Sequence, residues 1–315
     1  MRTEAHDDHP CSAPRRRERS VRREAGRVMG AVSPPSRAPR PEPRGSYRAF
    51  TVTVTAAVSL TPRMRRITLH APQLTDYELL RPDDFFALLI PGPAGLDLPA
   101  DGLVGSSPRG VADLIGDRCR PELRWYTVRA HRPDDGEVDV DIVLHGDYSD
   151  HSDHDHAASG PGGRWAATVT PGDVAGFVEG NGLYSPTDPS GRQVFFADVT
   201  ALPALSSILT SPEPAPGVAA LGSQATAHIE VDHDSDIHPI ATGATVHWHV
   251  RDGGPPGLSI PRVLDGVAPG EISYAWICAE ASLVQEARRF LIAQGGVAKE
   301  LITFSGYWRQ GEART

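Results

Sequence analysis

The stretch RWYTVR, Arg124 to Arg129, is the most informative part of this sequence because it combines a strand pattern with cationic and aromatic side chains. Side chains alternate between the two faces of a strand, so Arg124 shares a face with Tyr126, opposite Thr127. A guanidinium matches the geometry of phosphate oxygens, and tyrosine adds an aromatic ring with a hydroxyl. Taken alone, the stretch is better explained as an exposed edge strand whose arginines form salt bridges, and that interpretation is favoured until its surroundings are considered.

The segments around this stretch predict an antiparallel β-barrel over residues 46–185. RAFTVTVTAAVSL and RRITLHA alternate apolar and polar residues on either side of a turn at TPRM. FFALLI (Phe85–Ile90) and VDVDIVLH (Val138–His145) follow, with Pro, Gly and Asp between them. About six short strands over this length are typical of a barrel.

After about Ser185 the pattern becomes that of an α/β domain, predicted over residues 186–315. QVFFAD (Gln193–Asp198) and YAWICA (Tyr274–Ala279) are apolar nearly throughout, and each leads into a segment with helical spacing. Such strands in alternation with helices predict a doubly wound parallel sheet covered on both faces. The last helix is predicted to begin with Ser282 as its N-cap. Ligands bind beyond the carboxyl ends of such strands, so the turns after Asp198 and Ala279 are the expected nucleotide site.

Residues 1–45 differ in composition from the rest, with eleven Arg against six acidic residues and little that is apolar. Such a segment cannot bury enough surface to offset its ordering entropy, so we expect a disordered tail. A transit segment, a nucleic-acid arm and a true start at Met29 are the alternatives. The remainder carries 20 basic and 34 acidic residues, which argues against nucleic acid as a partner of the folded part.

The cysteines and the hydropathy pattern indicate in which cellular compartment the protein resides. Cys11, Cys119 and Cys278 lie far apart, which suits free thiols in a reducing compartment. No apolar run approaches the ~18 residues of a spanning helix, and the N-terminus lacks the apolar region of a secretory signal. We therefore expect a cytoplasmic protein without a membrane partner.

A run of His and Asp, HGDYSDHSDHDHAASG, includes side chains that can bind Zn²⁺ or Ni²⁺, among them His151, His154 and His156. The run lacks apolar residues that would hold ligands in place, so a flexible loop is the favoured interpretation and no metal site is predicted.

The order of these segments resembles the ferredoxin-reductase superfamily and, within it, the siderophore-interacting proteins, which are FAD-dependent ferric-siderophore reductases. The resemblance covers nearly all of residues 47–310. The motifs that carry it are LTPRMRRITL (Leu60–Leu69), RWYTVR, DIVLHG (Asp141–Gly146), GPGGRWA (Gly160–Ala166), DVTALPAL (Asp198–Leu205), WICAEAS (Trp276–Ser282) and GYWRQG (Gly306–Gly311).

The resemblance implies a role for each matching residue. In the barrel, the FAD-contacting residues would be Arg124, Tyr126, Thr127, Arg129, His145, Gly146, Trp165 and Ala166. Thr127 would be the catalytic hydrogen-bond partner of the flavin. In the second domain, the nucleotide turn and the acidic residue beside it would be Asp198, Thr200, Ala201, Pro203 and Glu280, and Trp308 would lie beside the flavin.

Several positions depart from the family pattern. The GPAS pattern of relatives reads Gly160-Pro161-Gly162-Gly163, which removes a serine hydroxyl and predicts weaker FAD binding. Phe85, Ala87 and Thr303 stand where relatives carry His or cations that meet an anionic siderophore. Arg309 and Arg65 are the predicted substitutes, with Arg63 and Arg66 as further candidates.

The resemblance implies an NAD(P)H-dependent flavoprotein that reduces a ferric siderophore and releases Fe²⁺, with FAD as cofactor. Two alternatives stay open. One keeps the flavin but passes electrons to another acceptor such as ferredoxin, and the other binds or senses a siderophore without turnover.

Overall fold

The structure, a computed structural model, describes residues 38–99, 101–116, 120–144, 160–214, 219–268 and 270–309. Its first half contains two short helices, α1 (Pro108–Ala112) and α2 (Pro161–Thr168). The strands of this half are β1 (Tyr47–Thr61), β2 (Met64–His70), β3 (Phe85–Ile90), β4 (Leu103–Gly105), β5 (Glu122–Thr127), β6 (Ala130–Arg132), β7 (Glu137–Val143) and β8 (Val174–Val178).

These strands form one antiparallel sheet in the order β5-β3-β8-β1-β2-β7-β6, with β4 paired to β1. The two ends of that order, β5 and β6, are neighbours in the chain, and the N–H of Arg129 between them donates to the carbonyl of Asp139 at 2.8 Å. The sheet therefore curls around its own core, where the rings of Phe50 and Phe86 both stack on Phe177. The predicted β-barrel is confirmed.

The second half is a parallel sheet with helices on both faces. Its elements are β9 (Arg192–Asp198), α3 (Leu202–Thr210), β10 (Ala225–Val231), β11 (Thr245–Val250), β12 (Ile272–Glu280), α4 (Ala281–Ala293) and β13 (Ile302–Trp308). The strand order is β11-β10-β9-β12-β13, and every pairing is parallel. Phe195 of β9 packs with α3 while Phe196 packs with α4, so both faces are covered. The predicted doubly wound sheet is confirmed.

The start of α4 differs from the predicted cap. Glu280, not Ser282, is the N-cap residue, and its carboxylate accepts hydrogen bonds from the N–H groups of Ser282 (2.6 Å) and Leu283 (3.2 Å). Serine and glutamate can both accept such bonds, and the choice between them depends on where the strand ends. Because β12 continues through Glu280, the carboxylate is the group that reaches the first turn.

Asp83 joins the two halves of the molecule. Its carboxylate lies in the β2–β3 connection and accepts from the backbone N–H groups of Leu183 (3.1 Å) and Tyr184 (3.1 Å) in the linker between the sheets. The indole N–H of Trp276, on β12, lies 3.4 Å from the same carboxylate. Met64 of β2 packs into the same apolar cluster as Trp276. Asp83 and Met64 therefore tie the barrel to the parallel sheet.

Ordered contacts begin before the predicted boundary at residue 45. Ala38 is buried, and its N–H donates to the carbonyl of Ile302 at 3.1 Å. Arg44 donates to the carbonyl of Gly180 at 2.7 Å and to the carboxylate of Asp84 at 2.9 Å. Ala38 and Arg44 therefore anchor this segment to the folded unit, and the rest of the predicted tail, residues 1–37, lies outside the described residues.

Candidate functional site

Strand β5 and the first turn of α2 are in close contact. A Cβ atom built on Gly162 would lie 1.9 Å from the Oη of Tyr126 and 3.6 Å from the Cγ of Arg124. Both side chains therefore project toward α2 from the same face of β5, as residues two apart on a strand do. The structure brings Arg124, Tyr126 and the GPGG segment together at one place.

Helix α2 presents its N-terminal end to this contact. Gly160 is the N-cap, without a side chain to accept from the first turn, and Pro161 follows it. The N–H groups of a first turn have no intrahelical partner and carry the positive end of the helix dipole. Such an end binds anions, phosphates in particular.

Arg124 adds a cation beside this helix end. Its guanidinium donates to the carbonyl of Leu123 at 2.7 Å and lies 3.1 Å from the carboxylate of Glu122. The side chain of Glu122 is 60% exposed, so this ion pair is weak and leaves the cation available to a stronger anion.

Trp165 and Ala166 lie within α2, whereas the resemblance places them after a cofactor-binding loop. Ala166 is fully buried in the barrel core. Trp165 lines a pocket of about 440 Å³ together with Ile90, Arg164 and neighbouring residues of the helix. Of the two, Trp165 alone faces space that a ligand could enter.

Thr127 and Arg129 lie where β5 ends. Thr127 is buried and pairs with Phe85 of β3. The carbonyl of Arg129 accepts from the hydroxyl of Ser207 on α3 at 3.3 Å, so this strand end meets the second domain. The guanidinium of Arg129 lies 3.9 Å from Asp141, a carboxylate that Arg66 already binds through two hydrogen bonds. Burial lowers the pKa of Arg129 and repulsion from Arg66 adds to the fall, while attraction to Asp141 and Asp139 opposes it.

Asp198 is the centre of a hydrogen-bond network at the carboxyl edge of the parallel sheet. One oxygen accepts from the N–H (2.9 Å) and the hydroxyl (2.5 Å) of Thr200. The other accepts from the backbone N–H of Glu280 (2.8 Å) and the indole N–H of Trp308 (3.0 Å). Burial raises the pKa of Asp198, while these bonds counter the rise. The network joins the ends of β9, β12 and β13, so Asp198, Thr200 and Glu280 meet at the expected nucleotide edge and Trp308, predicted to lie beside the flavin, joins them there.

Ala201 and Pro203, also predicted for this edge, form the start of α3. Ala201 is the N-cap and is fully buried, and Pro203 lies in the first turn. Neither side chain offers a polar group, so any contact they make with a nucleotide is through the backbone or through van der Waals packing.

The predicted substrate cations have different environments. Arg65 donates to the carbonyls of Ala166 and Ala167 and therefore caps the C-terminal end of α2. Arg63 forms an ion pair with Asp236 of the second domain, while Arg66 holds Asp141. Arg309, which follows β13, is exposed. Protein groups thus engage Arg63, Arg65 and Arg66, and Arg309 has the most accessible position of the four.

Some predicted positions lie outside the described residues. These are His145, Gly146, the His and Asp run at 150–156, Cys11 and Cys119. In the described residues, no cluster of three or more His, Cys, Asp or Glu side chains could hold a metal ion. No helix within the same ranges has the length and apolar character needed to cross a membrane.

Both halves of the chain match models of one family. Residues 53–184 match the siderophore-interacting FAD-binding domain, and residues 191–311 match the siderophore-interacting protein model. An uncharacterized protein of Mycobacterium tuberculosis is 30% identical over 278 residues, which cover 82% of this chain and 89% of that protein. The chain belongs to the siderophore-interacting protein family.

Other relatives include named reductases and a transporter. Ferric vibriobactin reductase ViuB of Vibrio cholerae is 28% identical over 223 residues, 68% of this chain and 74% of that protein. Mycobactin import ATP-binding/permease protein IrtA of Mycolicibacterium smegmatis is 25% identical over 272 residues, and the chain spans only 26% of its length. A solved siderophore utilization protein from T. fusca is 26% identical, with a TM-score of 0.64 over 86% of this chain and 96% of that one.

The residues present fit the FAD of this family. The diphosphate of FAD needs backbone donors and a cation, which the first turn of α2 and Arg124 supply. A flavin needs a flat apolar surface, and the ring of Tyr126 packs against the barrel core at the same place. Gly162 keeps a side chain out of the space between them. The assignment of individual residues to FAD stays a prediction.

Two residues important to this arrangement were missed from the sequence. Gly162 was noted only as part of a motif that lacks a serine, since its contact with Tyr126 joins positions far apart in the chain. Asp83, which holds the linker, was not singled out in the sequence. Two adjacent carboxylates before an apolar strand were the signal available, but the backbone partners of Asp83 lie about a hundred residues away.

Proposed function

We propose that this protein is an FAD-dependent NAD(P)H oxidoreductase that reduces ferric siderophores and thereby releases Fe²⁺. The observation that carries the proposal is the contact of Arg124 and Tyr126 with the start of α2, in a chain whose two halves match the FAD-binding and siderophore-interacting models. The similarity to ferric vibriobactin reductase supports the reaction class.

FAD, when bound, supplies the redox centre that accepts two electrons from a nicotinamide donor and passes them singly to iron. The chain's own residues would bind FAD and orient it. Arg124 and the first turn of α2 would hold the diphosphate, and Tyr126 would support the flavin. Thr127, buried at the end of β5, would donate to or accept from the flavin ring.

Further parts of the proposal concern the second domain and the substrate. We assign the nucleotide donor to the edge formed by Asp198, Thr200, Ala201, Pro203, Glu280 and Trp308. Arg309 would meet the siderophore, and Arg65 would act through its contact with α2. Arg129, His145, Gly146 and Trp165 keep their predicted FAD contacts.

The domain limits and the compartment belong to the same proposal. We divide the folded part near residue 185, between an FAD domain and a nucleotide and siderophore domain, and we place the protein in the cytoplasm. The acidic balance of residues 46–315 supports a small-molecule substrate rather than nucleic acid.

The proposal is tested with purified protein reconstituted with FAD. We expect a flavin absorbance spectrum, anaerobic bleaching by NADH or NADPH in a stopped-flow instrument, and Fe²⁺ trapped by ferrozine after a ferric hydroxamate siderophore is added. Buffer with free FAD at the same concentration is the control.

Other outcomes separate the alternatives. Failure to bind FAD contradicts the proposal. Bleaching followed by faster electron transfer to ferredoxin than to any ferric chelate would point to a different acceptor. Siderophore binding without bleaching by either nucleotide would point to a binding protein without turnover.

A further inference from the structure

Arg63 belongs to the barrel, but its side chain binds the second domain. It lies in the turn between β1 and β2. Its Nε donates to one carboxylate oxygen of Asp236 at 2.9 Å, and a second guanidinium nitrogen donates to the other oxygen. Two parallel hydrogen bonds of this kind fix the orientation of the partner as well as its distance.

The carboxylate of Asp236 is enclosed and has a second task in its own loop. Its side chain is 2% exposed, and it also accepts from the N–H of His233 at 3.0 Å, which closes the turn that follows β10. Removing one partner of a buried ion pair leaves an uncompensated charge, so the loop cannot keep this arrangement without Arg63.

The barrel supplies a fixed point for this contact. Thr61 pairs with Met64 across the turn, so both neighbours of the turn lie in strands. The carbonyl of Arg63 accepts from the N–H of Leu144, at the end of β7, at 2.8 Å. The backbone of Arg63 is therefore held by two different parts of the barrel, and its side chain carries that constraint to the loop.

The loop that Arg63 holds lies where a dinucleotide would reach this sheet. Glu230 of β10 pairs with Asp198 of β9, so residues 232–236 begin just beyond the Asp198 edge. Ligands bind beyond the carboxyl ends of parallel strands, and the strand next to the first one contacts the adenosine ribose. Asp232 opens this loop, 3.8 Å from a guanidinium nitrogen of Arg63.

We propose that Arg63 is a positioning residue for the nicotinamide dinucleotide: from the barrel, it holds the loop after β10 in the place where the adenosine half binds. The inference rests on the proposed oxidoreductase function. It implies that the barrel, which would carry FAD, also contributes to the affinity for the electron donor without touching it.

The experiment separates nucleotide binding from the later steps. The FAD-loaded protein is assayed with NADH and ferricyanide, an acceptor that needs no siderophore site, and is titrated with NAD⁺ by calorimetry. We expect Arg63→Gln to raise the KM for NADH and the dissociation constant of NAD⁺ roughly tenfold. The value of kcat and the dissociation constant of FAD should stay as in the wild type, whereas general damage to the fold would change them too.

Two further variants decide whether the ion pair with Asp236 is responsible. Arg63→Lys keeps the charge but loses the two-point geometry, so its KM for NADH should lie between those of the wild type and Arg63→Gln. Arg63→Gln combined with Asp236→Asn should raise KM no further than Arg63→Gln does alone. Effects that multiply in the double variant would overturn the proposal, as would a wild-type KM in Arg63→Gln.

Arg48→Gln is the matched control, because Arg48 forms an ion pair of similar enclosure with Glu179 inside the barrel half. It should leave the KM for NADH unchanged even where it lowers the melting temperature, which is measured for every variant. If Arg63→Gln does not fold, Arg63→Lys carries the test, and a wild-type KM in that variant contradicts the proposal.

Failure of the proposed function has a different signature. A wild-type protein that binds NAD⁺ but is not reduced by NADH contradicts the oxidoreductase function, while NAD⁺ titrations of the same variants still test Arg63. A wild-type protein that binds no nicotinamide nucleotide contradicts both.

Discussion

At the scale of single residues, the least expected feature is a set of three imidazoles on the face of the parallel sheet that α4 covers. His228 of β10 is 2% exposed, and its Nδ1 lies 3.1 Å from Nε2 of His249 on the edge strand β11. His247 stacks on His228 with ring centroids 4.9 Å apart. The Nε2 of His228 is buried without a hydrogen-bond partner in the described residues.

This environment holds His228 in the neutral form. Burial, aided by repulsion from His249 and His247, lowers the pKa of His228 to about 3, while Asp265 opposes the shift. Burial also lowers the pKa of His249, which faces Glu230, Arg262 and Asp265.

Because the pKa of His228 is lowered in the folded protein, the sign of its effect on stability can be worked out. The unfolded chain binds a proton at His228 with a pKa near 6.5, and the folded chain does not until about pH 3, so stability is lost as pH falls through this range. By pH 5 the loss from this group is about 2 kcal/mol in the free energy of unfolding. Chemical denaturation at pH 8, 7, 6 and 5 measures it.

Replacing the His228 imidazole should remove its contribution to the pH dependence of the free energy of unfolding. We expect His228→Phe to lose about 2 kcal/mol less than the wild type between pH 8 and pH 5. His70→Phe, on β2 in the barrel half, is the matched control, since His70 belongs to none of these contacts. Equal pH dependence in the wild type and His228→Phe would contradict the assignment.

At the scale of elements, the carboxyl end of β10 bears on the choice of nucleotide. Counting outward from β9, β10 is the second strand, whose end contacts the adenosine ribose in sheets of this order. The residues that follow it include Asp232, Asp234 and Asp236. The nearby cations Arg251 and Arg63 form ion pairs with Asp232 and Asp236.

This edge predicts NADH rather than NADPH as the donor. A ribose 2′-hydroxyl can donate to a carboxylate, whereas a 2′-phosphate would meet like charges. If the nucleotide binds as proposed, we expect kcat/KM for NADH to exceed that for NADPH by roughly tenfold or more. Titrations with NAD⁺ and NADP⁺ give an independent comparison of affinity.

A substitution sharpens this test. Asp232→Ser removes one carboxylate and releases Arg251, so the preference for NADH should fall by about tenfold. Asp113→Ser, at an exposed carboxylate in the barrel half, should leave the preference unchanged. A wild-type protein that uses NADPH as well as NADH would show the prediction to be wrong.

At the scale of the whole molecule, the segment before the barrel contributes to stability. The side chain of Asp84 is fully buried, and burial raises the pKa of its carboxyl to about 7. Arg44 supplies the opposing charge and also lies over the ring of Tyr77, 4.8 Å from its centroid. An ion pair of this kind is destabilising to break because the remaining charge stays buried.

Shortening the N-terminus should therefore lower the free energy of unfolding only when the segment that includes Arg44 is removed. Removal of residues 1–37 should leave the free energy of unfolding unchanged, whereas removal of residues 1–45 should lower it by about 3 kcal/mol. Arg44→Met in the full chain should reproduce most of that loss, and Arg40→Met, at an exposed position, should not. Denaturant titration at pH 8 measures all four, and equal stability of the two truncated proteins would contradict the role of Arg44.

Much of the fold could be predicted because its signals are local. The alternation in β1, with Val52 and Val54 buried between exposed threonines, and the apolar run of β9 each specify a strand and the faces it buries. The Asp198 edge was predictable for the same reason, since parallel strands place their carboxyl ends together. The α4 cap was missed because serine is a preferred N-cap residue and glutamate is not, whereas the end of β12 places the Glu280 carboxylate at the first turn.

Sequence patterns alone were enough to predict the strands and helices and the order of a barrel before a parallel sheet, and the family resemblance added the prediction that the Arg-x-Tyr-Thr strand holds a cofactor. Only the tertiary structure decided that Gly162 makes room for Tyr126, that Asp83 holds the linker, and that Arg63, Arg65 and Arg66 serve the protein itself. The physical reason is the separation along the chain over which each kind of interaction acts. Periodicity and capping act over a few residues, whereas collisions, buried carboxylates and ion pairs depend on groups that meet only when distant segments pack.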